Sequence, residues 1–372
     1  NWDDTWPFVE FAECLFNDLQ HIKWEIRHGA ATALREIIIH HGFTGREHGL
    51  SPTGGNSRSK LWLTEAAKLL LCVVANDRFG DFLSDEVVAP VRETSAMALG
   101  AAVKLLHPEI CFNIIDILLS LLDQSEWQTR HGSILAIKYF LIAKPPSESD
   151  TNKHFLKMIY PGLIKGLNDD VDDVAGSTAT ALIPIIQDLF IQDDNIEGLS
   201  TIVEWLWKSL EDIDELSTST TPILKLLSTI LRHNIDQKSI QGKDLTAILC
   251  SQNLSLLIRR ILPFLYHSST TVRHSALETL YSLTSLKELA DLFLDSCIES
   301  IMKHLFQQAL LENNKKNTAI LESIWNAVCE ETPLQSLLEA TCPMFGIWLN
   351  IATQIHSQPL PEEVFVYTVN EH

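Results

Sequence analysis

Carboxylates crowd into three short polar stretches of this chain. Asp123 and Glu126 form the first, Asp169, Asp170, Asp172 and Asp173 the second, and Glu211, Asp212, Asp214 and Glu215 the third. Two kinds of chemistry suit such stretches. Asp and Glu at a helix N-terminus cap it and favour its dipole, at about 0.3–1 kcal/mol each. A dense negative edge also attracts a basic partner. Capping accounts for one or two carboxylates per turn, and four in one turn repel one another, so both readings stand. A second set is basic: Arg27, Arg92, Arg130 and Arg273 each open a stretch of helical spacing. They could form an anion-binding ladder. The structural alternative, which their recurrence in one frame favours, pairs each with a carboxylate at a helix end, such as Asp18 or Asp123.

Catalytic chemistry finds little footing. Gly54-Gly55 lacks the Lys and hydroxyl that complete a phosphate loop, no His-Glu-x-x-His is present, and no nucleophile elbow frames a Ser. His40, His41 and His48 flank a Gly-rich stretch without the spacing of a metal set. The seven cysteines stand singly and read as reduced core residues. No catalytic, cofactor or metal site is expected in this chain.

The elements that must position these residues are helices. Of 372 residues 46% are hydrophobic, with only 15 Gly and 14 Pro, which is globular and helix-leaning. Forty-eight acidic against 28 basic residues give a formal charge of −20, so most of the surface repels a nucleic-acid backbone. Charges interrupt every apolar run, and none is expected to span a bilayer. The chain opens at Asn1 without Met or signal peptide and reads as a piece of something longer.

WEIRHG at 24–29 recurs as WQTRHG at 127–132, and VRHSAL stands at 272–277. Counting from Ile26, residues at offsets 4, 7, 8, 11 and 12 are Ala30, Ala33, Leu34, Ile37 and Ile38. The same frame fits from Val91, Thr129, Val174, Ser219, Val272 and Asn317. These offsets trace one face of an α-helix. Small residues at offsets 4 and 7 admit a close neighbour. The anchors lie roughly 38 to 65 residues apart, three of six intervals being 45, and each is preceded by an apolar helix. The pattern predicts an all-α, HEAT/armadillo-like superhelix of about seven to eight helix pairs, each burying its face on the next. The solenoid is expected over 1–356, with loop insertions at 42–59 and 234–243, and 357–372 as a linker or truncated tail.

Three strings are more specific than the frame. WPFVEFAECLFNDLQHIKWEIRHGAATALREII (6–38), DRFGDFLSDEVVAPVRET (77–94) and EWQTRHGSILAIKY (126–139) resemble the HEAT-repeat region of the Swi/Snf-type ATPases that associate with TATA-box-binding protein. ILPFLYHSSTTVRHSALETL (261–280) and CPMFGIWL (342–349) extend the resemblance over nearly the whole chain. It implies a scaffold whose helix-connecting turns grip the convex, basic face of TATA-binding protein. The three acidic stretches are where that role falls here. The ATP- and magnesium-dependent motor of the family is not in this chain, so no enzyme activity is expected of it. The resemblance also implies a nuclear protein whose contact with promoter DNA is indirect, with no membrane and no small-molecule substrate. A latch over the DNA-binding face, also known in the family, cannot be placed; 42–59 is short and mildly basic. A general HEAT adaptor of the transport-receptor or phosphatase-scaffold kind shares the architecture and would bind through the concave face.

Overall fold

A computed structural model describes residues 8–42, 58–83, 86–191, 196–210, 219–241, 254–285, 287–355 and 358–360. The chain divides into two compact units, Asn1–Asp193 and Asp194–His372. In the first, helices pair as α1 (Val9–Asp18) with α2 (Trp24–His41), α3 (Arg58–Asn76) with α4 (Pro90–Leu105), α5 (Pro108–Leu121) with α6 (Trp127–Ala143), and α7 (Asp150–Leu167) with α8 (Asp172–Leu182), followed by the short α9 (Ile186–Ile191). In the second, α10 (Ile196–Ser209) precedes α11 (Thr220–Gln241), α12 (Leu254–Ile261) precedes α13 (Thr270–Thr284), and α14 (Lys287–Leu311) precedes α15 (Lys315–Glu331). A further helix, α16 (Leu334–Thr353), packs on α14. The described residues thus form HEAT-type helix pairs in both units.

The second helices of the pairs stack on one another, α2 on α4, α4 on α6 and α6 on α8 in the first unit, α11 on α13 and α13 on α15 in the second. Their contact face is the anchor frame. Val91, Ser95, Ala98, Leu99, Ala102 and Val103 are all buried, as are Thr129, Ser133, Ala136, Ile137, Phe140 and Leu141. The same holds from Val272 through Ala276, Thr279, Leu280 and Leu283. Hydroxyls in this face reach carbonyls of their own helix or of a neighbour: Thr178 Oγ1 donates to Val174 at 2.7 Å and Ser133 Oγ to Leu118 at 2.6 Å, while Ser95 Oγ has no hydrogen-bond partner among the described residues.

Three features depart from the expected pattern. The frame from Val174 is broken at Pro184: α8 ends at Leu182, a 3-10 turn spans Ile183–Ile185, and α9 resumes at Ile186. Proline has no N–H for the helical ladder, yet Ile185 and Ile186 still reach the core. The expected loop insertion at 234–243 is overturned in its first eight residues, because α11 runs on to Gln241; nothing in 234–241 forces an earlier stop, as it holds neither Pro nor Gly. Most of 42–59 and of 357–372 lies outside the described residues, although α3 already begins at Arg58. Finally, the connection from α3 to α4 carries a small antiparallel hairpin, β1 (Asp81–Leu83) against β2 (Glu86–Val88), with Phe82 opposite Val87. This hairpin is a minor β addition to an otherwise helical fold.

The interval from Val91 to Thr129 is the shortest, and there the stacking tightens. Helix α3 packs on α6 as well as on α4. Thr129 Oγ1 donates to the Ala75 carbonyl at 2.9 Å, and a Cβ built on Gly132 would lie 2.2 Å from the Val74 carbonyl oxygen. Gly29, at the matching place in the first repeat, has nothing within 4 Å of its Cβ position. Gly132→Ala should therefore destabilise the chain by roughly 1–3 kcal/mol through overpacking. Gly29→Ala should be neutral or stabilise by up to about 1 kcal/mol, since alanine loses less backbone entropy in a helix. Urea denaturation of the two variants side by side measures the contrast.

Candidate protein-interaction edge

The first and second helices of a pair meet at a short turn, and these turns define one edge of each unit. Arg27, at the start of α2, donates Nη1 to the His21 and Ile22 carbonyls at 2.8 Å each and its Nε to Asp77 Oδ1 at 3.0 Å. Asp77 ends α3, in the next repeat. Arg130 repeats the arrangement: Nη1 to the Gln124 and Ser125 carbonyls at 3.0 and 2.8 Å, Nε and Nη2 to the two Asp169 oxygens at 2.6 and 2.8 Å. Arg273 does so again with the His267 and Ser268 carbonyls and both oxygens of Glu312. The planar five-donor guanidinium suits this double duty, closing its own turn while gripping the following repeat.

The receiving carboxylate is itself double. Asp77 accepts from the Phe79 amide, Asp169 from Val171 and Glu312 from Asn314, each two residues ahead. This side-chain turn fixes the exit of its own helix. For Asp169, burial would raise the pKa, but the Arg130 and Val171 hydrogen bonds hold it below the usual range. The Glu312 side chain is completely buried; burial again opposes, yet Arg273, Asn317 and the Asn314 amide bring it down to about 2.

Two expectations are corrected here. The arginines do not pair with Asp18 or Asp123 but with Asp77, Asp169 and Glu312, across the repeat boundary. Asp169 is thereby committed within the fold, its side chain only 10% exposed, and is no longer read as a contact for a partner. Arg92 departs further. It is fully buried, donates Nη1 to the Asp77 carbonyl at 3.1 Å and lies over the Trp127 ring at 5.5 Å. Nε and Nη2 of Arg92 have no hydrogen-bond partner among the described residues. Burial pushes it down to about 10 against the opposing pull of Asp77. The cause is the short interval: the end of α3 rather than of α5 fills the space below Arg92, and Asp123 pairs with Lys165 instead.

Of the remaining acidic residues, Asp123, Glu126, Asp170 and Asp172 are exposed and Asp173 is half-buried. Asp172 and Asp173 occupy the first turn of α8, where the helix dipole favours them. The Arg130–Asp169 and Lys165–Asp123 pairs bring the α5–α6 and α7–α8 turns side by side, so these carboxylates share one patch. Glu211, Asp212, Asp214 and Glu215 lie outside the described residues. Among the described residues no group of His, Cys, Asp and Glu could hold a metal ion, and no helix is long and apolar enough to cross a membrane.

A second link between repeats was not singled out from the sequence. The residue after Arg27, Arg130 and Arg273 is a histidine, whereas Glu93 follows Arg92. His28 Nδ1 lies 3.2 Å from the Pro90 carbonyl and 3.0 Å from Thr94 Oγ1, and His274 Nδ1 lies 2.8 Å from Asn317 Oδ1, reaching the next second helix in both cases. His131 is buried beside the Trp127 ring, and burial, then the Arg92 charge, pushes it down to about 3. The recurring RH pair carried the signal.

Glu312→Gln should cost roughly 3 kcal/mol of stability at neutral pH, by the size of its pKa depression. A carboxylate held below its ordinary 4.5 stabilises above that pH and loses the contribution as pH falls toward 2. The gap between wild type and variant in urea melts should therefore close between about pH 4.5 and pH 2; a gap independent of pH would exclude the Arg273–Glu312 link as its source.

No protein-family model matches the chain. Its sequence is 36% identical over 361 residues, 96% of this chain, to human "TATA-binding protein-associated factor 172", of which it covers 19%. It is 32% identical over 320 residues to the fission-yeast "TATA-binding protein-associated factor mot1". The chain thus spans about a fifth of the length of the human relative. Among solved structures, it resembles the Mot1 N-terminal domain crystallised with TBP, at a TM-score of 0.61 and 21% identity, over 97% of this chain and 39% of that one. Importin beta also matches, at a TM-score of 0.57 and 17% identity over 96% of this chain and 42% of that one. At these identities both likenesses speak for the fold.

Proposed function

We propose that this chain, a HEAT-repeat segment homologous to the TATA-binding protein-associated factors, is a binding scaffold for TATA-binding protein, gripping it through the turn edge of its first unit. The observation that carries the reading is the alignment of nearly the whole chain to factors named for that partner. The exposed carboxylates Asp123, Glu126, Asp170 and Asp172 supply the surface chemistry, a negative patch for a basic partner. The segment presents and positions; the ATP- and magnesium-dependent step that removes the partner from promoter DNA belongs to a Swi/Snf-type motor elsewhere in the parent. DNA is then reached only through the partner, and the protein acts in the nucleus. An adaptor of the transport-receptor kind is supported by the importin-like fold alone.

Replacing Asp123, Glu126, Asp170 and Asp172 together with Lys should weaken binding of TATA-binding protein at least about tenfold at low salt, with the deficit shrinking as salt rises. Asp169 and Asp173 are left in place so that the Arg130 staple and the α8 dipole survive. Helicity should change little and the thermal midpoint should fall only modestly, because the four side chains are exposed, although Asp123→Lys removes the Lys165 pair and Asp172→Lys opposes the α8 dipole. Isothermal titration at two salt concentrations decides: unchanged affinity in the quadruple variant removes these turns from the interface.

A further inference from the structure

At the other end of the same edge the chemistry reverses. Between the turn leading into α2 and the end of α3 lies a cavity of about 380 Å³. Leu19, Cys72, Val73 and Phe79 give it apolar walls, with Phe79 backed by the stacked Trp24 ring at 4.3 Å. Ile22 stands at its mouth, 95% exposed. That exposure is held in place, since Arg27 grips the Ile22 and His21 carbonyls at 2.8 Å each. An aliphatic side chain on a turn whose backbone is held in place, beside an apolar recess, has the features of a binding anchor whose backbone ordering cost is already met. The exposed rim carries one cation, Arg78; His21 is also exposed, its Nδ1 accepting from the Lys23 amide at 3.1 Å, and the one carboxylate in the lining, Asp77, is engaged by Arg27.

We propose that this recess is a second contact for the partner. It would take an apolar side chain flanked by a carboxylate, while the exposed acidic residues of the α5–α6 and α7–α8 turns take basic groups. The proposal rests on the scaffold reading above and adds that the edge is bipolar. A partner engaging both ends must carry complementary charge in one orientation, which fixes the direction in which it lies along the repeats.

The test uses the full chain and TATA-binding protein. Ile22→Asp should weaken binding roughly 10- to 100-fold and Arg78→Glu by several-fold, with the melting midpoint unchanged because both side chains are exposed. Cys72, exposed in the recess, should become protected from N-ethylmaleimide in the complex, while Cys342 of the second unit, also exposed, stays reactive. If wild-type chain binds and Ile22→Asp binds equally well with Cys72 still alkylated, the recess is not a contact and the proposal falls alone. If wild-type chain does not bind TATA-binding protein at all, the scaffold reading falls and the proposal with it.

Discussion

A helix satisfies its backbone hydrogen bonds within itself, so nothing in the main chain ties one helix pair to the next. In this protein a guanidinium at the head of α2, α6 and α13 supplies that tie at the turn edge. One nitrogen closes the arginine's own turn through two carbonyls, and the others reach a carboxylate at the end of the following first helix. Because that carboxylate also accepts from the amide two residues on, each staple orders two turns at once. The hydrophobic stack beneath provides the bulk of the stability, but it is non-directional. The staple gives the stack its register and holds the turns in fixed positions, which any surface made of turns requires.

The second repeat shows what happens when spacing removes the acceptor. Arg92 has the right place in its helix, but the short interval brings α3 onto α6, and the carboxylate that should receive it is elsewhere. The cation is accommodated by a carbonyl and by the face of Trp127, a weaker environment than a bidentate carboxylate, and its lowered pKa reports the incomplete compensation for burial. Gly132 belongs to the same adjustment, since only a residue without Cβ lets the Val74 carbonyl come so near.

Charge on the turn edge therefore sorts into two populations. Carboxylates that end first helices and meet an arginine are interior components whose removal would loosen the stack. Those beside them, Asp123, Glu126, Asp170 and Asp172, are exposed, with Asp123 sharing a surface ion pair with Lys165. A net charge of −20 thus conceals a division of labour, and also a local exception where the exposed Arg78 borders an apolar recess whose one carboxylate is engaged by Arg27. Scaffolds that work by steering and register, without bond-making chemistry, need surfaces of this kind: rigid, exposed and electrically patterned.

The repeating offsets from Ile26 to Asn317 by themselves determined the helical class, the number of pairs and the buried face, because a period of 3.6 residues assigns each side chain to a face without reference to any neighbour. They also announced the arginines, as an element of the frame. What the sequence could not decide was who answers them. The acceptors lie 50 residues onward for Arg27 and 39 for Arg130 and Arg273, and the choice between Asp123 and Asp169, or between a staple and a contact, depends on how far one helix slides on the next. That sliding is set by side-chain volume and closest approach, at Gly132 and Val74 above all, and volume in contact is a property of three dimensions. The same holds for the recess beside Ile22: its walls come from two helices that are distant in the chain, and only their packing makes an isolated isoleucine into the lip of a cavity.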